Sequence, residues 1–222
     1  MNFEWNAVFS FTVGIGAVIG WVRVKKLDPA FLPFLWLLWI GFAHEIVSFF
    51  IAKAGYSNAL TYNVFTLAEA LLISFQFYKW GLFEQHQTLY SLLLFLFAAG
   101  WLTEFIMRDG FQHYLSYFIV VYATAIVFMA IHMLSNVLFQ EPGPVIFQPE
   151  FLICMGLLVY FTNSILVEIF WLYGLNRSSV FRLRIYEIFG YINLFTNLVF
   201  AFATLWIPMK RQYILRSSLA VS

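Results

Sequence analysis

Charge is scarce in this chain. Asp, Glu, Lys and Arg make up 10% of its 222 residues, and the formal net charge is only +1. So little charge cannot cover the surface of a soluble domain. The basic residues are spread along the chain, which excludes a nucleic-acid surface. Cysteine is almost absent: Cys154, the single one, lies in an apolar run, so neither an internal disulfide nor a cysteine metal motif can form. Proline is absent from the middle of every long apolar run. Pro29, Pro33, Pro142, Pro144, Pro149 and Pro208 all fall at one set of run ends, so the helices are expected to be unbroken, unlike transporters built on discontinuous spans.

Other absences exclude specific chemistries. The histidines are His44, His86, His113 and His132, with no HxxxH or HExxH spacing, so a zinc hydrolase of the seven-span ceramidase class lacks its ligands. No metal and no cofactor is expected. No lysine lies mid-span in the last run to carry a retinal Schiff base, and no Pro-Gln dipeptide supports a sugar transporter. The third run ends in Phe77-Tyr78-Lys79-Trp80, without the acidic-Arg-aromatic triplet of G-protein-coupled receptors. The N-terminus has no basic region before its first apolar run, so that run reads as a retained span rather than a signal peptide.

What is abundant is apolar and aromatic: 63% and 22% of residues respectively. Seven runs of about the 20 residues needed to cross a bilayer cover 5–22, 30–53, 59–79, 88–107, 114–138, 150–173 and 179–207. The fold class expected is therefore an all-α integral membrane protein, a seven-transmembrane helix bundle over 1–209 with a short tail, 210–222. The positive-inside rule places the N-terminus outside and the C-terminus in the cytoplasm, with seven basic residues inside against five outside. Gly16 and Gly20 in the first run have a small-xxx-small spacing that lets helix backbones approach closely. Their close partner is expected within the chain rather than in a second copy.

The polar residues are set into these runs in a pattern. Tyr62, Thr66, Glu69, Ile73 and Gln76 share one face of the third span, with Asn63 at its edge. The seventh span repeats the grammar with Tyr186, Gly190, Asn193 and Asn197. Together with the Gly55 and Gly174 turns, this suggests a 3+1+3 pseudo-repeat in which the fourth span is a linker. The second span adds His44 and Glu45 near Ser48, and the sixth adds Asn163, Ser164 and Glu168. Glu104 and Glu187 have Arg108 and Arg184 at ion-pair spacing. Glu69 has no cation within four residues on its own helix, so it must find a partner across the bundle, bind water or keep its proton. A carboxylate at that depth marks a functional site by default, and a direct contact with Asn193 is the structural alternative.

The stretch Tyr62-Asn63-Val64-Phe65-Thr66-Leu67-Ala68-Glu69 resembles the tyrosine–(Asn/His)–aliphatic–(Tyr/Phe)–Thr–Leu–x–Glu signature of an uncharacterised family of stand-alone seven-span proteins of Bacteroidetes-type bacteria. Gly156-Leu157-Leu158-Val159-Tyr160-Phe161-Thr162-Asn163 is similar to that family's sixth span. The resemblance implies the seven-span fold, a bacterial inner membrane and a neighbourhood with signalling kinases, and it assigns no activity. His44 beside Glu45 departs from the family pattern, which requires only the acid.

The function expected is a sensor or receptor-like module that binds a small polar or amphiphilic ligand in an outward-facing pocket. Glu69, Asn63, Thr66, His44, Glu45, Asn163, Glu168, Glu187 and Asn193 are its candidate lining. With a tail of about a dozen residues after Lys210, a signal would pass to a membrane or cytoplasmic partner. Membrane lipids are the other expected partners. A small-solute or proton-coupled transporter is the alternative, and a membrane-embedded enzyme the third reading.

Overall fold

A computed structural model describes residues 8–140, 145–174 and 178–210. Among these the secondary structure is helical: α1 (Val13–Arg23), α2 (Leu32–Lys53), α3 (Ala59–Lys79), α4 (Gln87–Met107), α5 (Ser116–Gln140), α6 (Pro149–Leu172) and α7 (Ser179–Trp206), with short 3-10 turns at Pro29–Phe31 and Val145–Phe147. Six of these helices are long and apolar enough to cross a membrane, and Val8–Arg23 forms a shorter apolar one. The protein is an integral membrane protein by this criterion. Its outer surface carries Trp21, Val22, Phe50, Phe95, Ile106, Phe128 and Phe202, which is stable only against hydrocarbon.

Local chemistry starts and stops the helices. Asp28 Oδ1 accepts from the Ala30 amide at 2.9 Å, and Pro33 and Pro149 stand in the first turns of α2 and α6, where a missing N–H costs nothing. Gly55 and Gly174, at φ 81° and 65°, adopt the left-handed conformation that closes α2 and α6. Gln76 fastens the start of α2 to the end of α3: its Oε1 accepts from the Phe34 amide and its Nε2 donates to the Ala30 carbonyl, each at 2.8 Å. At the same end Arg23 donates to the Thr204 and Leu205 carbonyls at 2.7 Å, satisfying the last turn of α7 with a cation. Lys210 and Asp28 amides donate to Lys26 and Pro208 carbonyls, closing that end.

The helices pack as a ring. α1 touches α2 and α7, α2 touches α3, α3 touches α5, α5 touches α6 and α6 touches α7. α4 lies outside the ring against α3 and α5, with Phe97 as its buried residue. Small residues let the ring close. A Cβ on Gly16 would lie 3.1 Å from Leu38 and 3.5 Å from the Ala201 backbone, one on Gly20 would lie 2.8 Å from Leu35, and one on Gly156 would lie 2.5 Å from the Phe200 ring. The Gly16/Gly20 spacing thus serves contact with α2 and α7 inside the chain, as the sequence suggested.

Candidate functional site

Glu69 finds its partner on α5. The Tyr122 hydroxyl donates to Glu69 Oε2 at 2.6 Å, and Tyr122 is held in place by Phe118 and Phe161, whose ring centroids lie 5.0 and 5.7 Å away. Both side chains are buried. Thr66, one turn before, turns its hydroxyl to the Asn63 carbonyl at 2.9 Å.

Glu69 also lines a cavity of about 70 Å³ on the axis of the ring. Glu45 of α2, Tyr160 of α6 and Asn193, Thr196 and Asn197 of α7 complete its polar wall with Ser10, between apolar residues such as Leu37, Ile73 and Phe200. Glu45 lies within hydrogen-bonding reach of Ser10. The Asn193 amide donates to Ser10 Oγ at 3.4 Å and that of Asn197 donates to Thr12 Oγ1 at 3.1 Å. A space of this size holds a few waters or one small ion and is well below the few hundred Å³ of an organic-ligand pocket.

A larger pocket, of about 520 Å³, opens at the end of the bundle away from Pro33 and Pro149. Its walls come from the start of α3 (Asn58, Tyr62), the α4–α5 connection (Arg108, His113, Tyr114), the start of α5 (Ser116, Tyr117), the end of α6 (Ser164, Glu168, Trp171) and Phe189 of α7. Among the described residues its wall carries Glu168, Arg108 and His113 as acid and bases. Glu168 is within hydrogen-bonding reach of Ser116. The Arg108 guanidinium stacks 5.1 Å over the Tyr117 ring and stands 3.4 Å from Glu104. Glu104 in turn accepts from the Tyr117 and Phe118 amides, at 3.2 and 2.6 Å, and so caps α5. Tyr62 lines the large pocket and Tyr160 the small cavity.

The candidate residues therefore divide. Glu45, Glu69 and Asn193 meet at the axial cavity, and Glu168 lines the large pocket. Asn63 has a different occupation: fully buried, it donates to the Gly110 and His113 carbonyls at 2.8 Å and accepts from the Leu115 amide at 3.2 Å. It clamps the α4–α5 connection that forms one wall of the pocket. His44 stacks on Phe65 at 4.5 Å and reaches Ser48 at 3.3 Å. Glu187 pairs with Arg184 at 3.0 Å near the start of α7. Asn163 keeps a buried Nδ2 that finds no partner among the described residues. The Tyr186 side chain, which begins the repeated grammar, lies outside the described side chains.

Glu69 does not rely on Asn193 for its hydrogen bond, since Tyr122 supplies it. Tyr122 is not legible as a partner in the sequence, because a tyrosine in an apolar run is indistinguishable from a packing aromatic. Thr196 is hidden for a similar reason, since threonines commonly bond back to their own helix. Among the described residues no three His, Cys, Asp or Glu side chains gather as metal ligands would. What the two spaces offer is binding chemistry: an aromatic-walled pocket with an arginine, a histidine and a glutamate, and beneath it a small cavity rich in oxygen acceptors. No family model, no curated protein and no solved structure matches the chain.

Proposed function

We propose that the chain is a seven-span receptor-like module of the bacterial inner membrane that binds a small polar or amphiphilic ligand in its large pocket and acts through a membrane or cytoplasmic partner. The observation that carries this reading is the pocket itself. Its volume of about 520 Å³ falls in the usual range for organic ligands, and its lining is aromatic with a few convergent polar groups. Arg108 on one wall and Glu168 on another suit a ligand that carries a negative group and a hydrogen-bond donor or positive group. Val8–Arg23 serves as the first span, and the bias of basic residues turns the pocket outward. The Tyr62–Glu69 signature supports grouping the chain with the stand-alone seven-span proteins that it resembles.

The test is a thermal-shift screen of the purified protein against polar lipids, amino acids and other zwitterions. A compound that raises the unfolding midpoint of the wild type should lose its effect in Glu168→Gln and in Arg108→Ala. Stabilisation that persists undiminished in both variants would place the ligand elsewhere.

The ring also favours a second reading, a transporter. α1–α3 and α5–α7 form the ring and α4 stands outside it, the arrangement a 3+1+3 repeat would take around a shared axial site. Alternating access then requires Ile73, which lines the axial cavity, to become reachable from the cytoplasmic end. An Ile73→Cys variant that stays unreactive from that side under all substrate conditions rules it out.

A further inference from the structure

The axial cavity is distinct from the ligand pocket and has a chemistry of its own. Among the described residues its lining includes two carboxylates, Glu45 and Glu69, and no Lys, Arg or His. The donors on its wall are neutral, and include the hydroxyls of Tyr160 and Thr196. Tyr122 serves one oxygen of Glu69 and Ser10 serves Glu45. Asn193 directs one N–H to Ser10, and Asn197 donates to Thr12 and the Phe9 carbonyl, toward the first helix. That leaves their oxygens as acceptors. Thr196 is the independent sign: it is 1% exposed and lines the cavity, yet its hydroxyl has no hydrogen-bond partner among the described residues. A buried threonine hydroxyl ordinarily finds one.

We infer that the axial cavity between Glu45, Glu69, Asn193, Thr196 and Asn197 is a binding site for a sodium ion. The donors are all oxygen, the preference of hard cations. With no basic side chain beside them, the two acids cannot both be ionised in a low-dielectric interior: one sodium balances one carboxylate, and the other acid keeps its proton. A divalent ion fits less well, because Glu69 already shares an oxygen with Tyr122 and no third acid or histidine joins the set among the described residues. The space of about 70 Å³ admits a small ion with at most a few waters. The ion would draw α2, α3 and α7 together at mid-membrane, below the ligand pocket. This site stands whether or not that pocket binds a ligand.

The experiment is thermal unfolding of the full chain in lipid nanodiscs, at constant ionic strength, in sodium, potassium, choline, magnesium or calcium chloride. Sodium is expected to raise the midpoint in a saturable way that choline does not reproduce. In Thr196→Val the half-saturating sodium concentration should rise about tenfold, and in Glu69→Gln the sodium response should vanish, while Glu84→Gln, which removes an exposed acid, should respond as the wild type. Equilibrium binding of radioactive sodium to the folded wild type, displaced by unlabelled sodium and not by choline, tests the site without any substitution. Equal midpoints in sodium and choline with no displaceable sodium would overturn the inference. So would a response to calcium or magnesium in place of sodium, or a sodium response that survives both Thr196→Val and Glu69→Gln unchanged.

Discussion

Tyr122 and Glu69, 53 positions apart on α5 and α3, share a 2.6 Å hydrogen bond between two buried side chains. It joins the helix that carries the Tyr62–Glu69 signature to the start of the second three-helix set, directly beside the axial cavity. Removing only the phenol oxygen leaves the ring packing intact and deprives the acid of its donor. Tyr122→Phe is therefore expected to lower stability by about 1–2 kcal/mol, the range for interhelical hydrogen bonds and unsatisfied buried acceptors. Glu69→Gln should cost less, because a carboxamide oxygen still accepts. A double-mutant cycle in denaturant should give a clear coupling term, and strict additivity would mean that the two groups do not interact in the membrane.

Asn63 should behave as an architectural residue of the pocket wall. Asn63→Ala would orphan the Gly110 and His113 carbonyls and the Leu115 amide, a loss of about 2–4 kcal/mol. The local signature is faster amide exchange over residues 108–116 with α6 unaffected. Ligand binding should weaken along with it, since His113 and Tyr114 come from that connection.

Glu104 and Arg108 form one ion pair but should separate in experiment. Glu104→Ala removes the cap on α5 and is expected to cost about 1 kcal/mol. Arg108→Ala removes a 41% exposed guanidinium from a carboxylate that keeps its two backbone amides, expected to cost about 1 kcal/mol or less, yet it removes the arginine of the pocket. Stability and ligand binding, measured on both variants, should thus respond in opposite order.

Gly156 tests the tightness of the ring. A Cβ there would stand 2.5 Å from Phe200, whose ring packs edge-on against Phe34 at 5.3 Å. Gly156→Ala is expected to destabilise by about 1–3 kcal/mol, and Gly156→Ala with Phe200→Leu should recover part of the loss. Equal stability of wild type and Gly156→Ala would show that α6 and α7 sit farther apart.

The helices are legible in the amino-acid sequence through the apolar runs and the prolines at their ends, because a bilayer imposes length and excludes charge. The face bearing Thr66, Glu69, Ile73 and Gln76 is legible in the same way, and all four are buried. Partnership across the ring is not. Gln76 looks like one more member of that polar face, and only the approach of α2 lets both ends of its amide bind the Ala30–Phe34 turn. Asn63 and Glu69 lie six residues apart on α3, yet one holds a backbone connection and the other faces a cavity. The difference is made by α4 and α5, which the local pattern does not contain.

Accessibility of Ser164 tests the central claim most directly, since this buried residue lines the large pocket. Ser164→Cys would be made in a Cys154→Ala background and treated with a membrane-impermeant thiol reagent. In cells with a permeabilised outer membrane and an intact inner membrane, modification is expected from outside, and none is expected from the inner face in inverted vesicles. Labelling from the inner face alone, or from neither side, would contradict an outward-facing pocket.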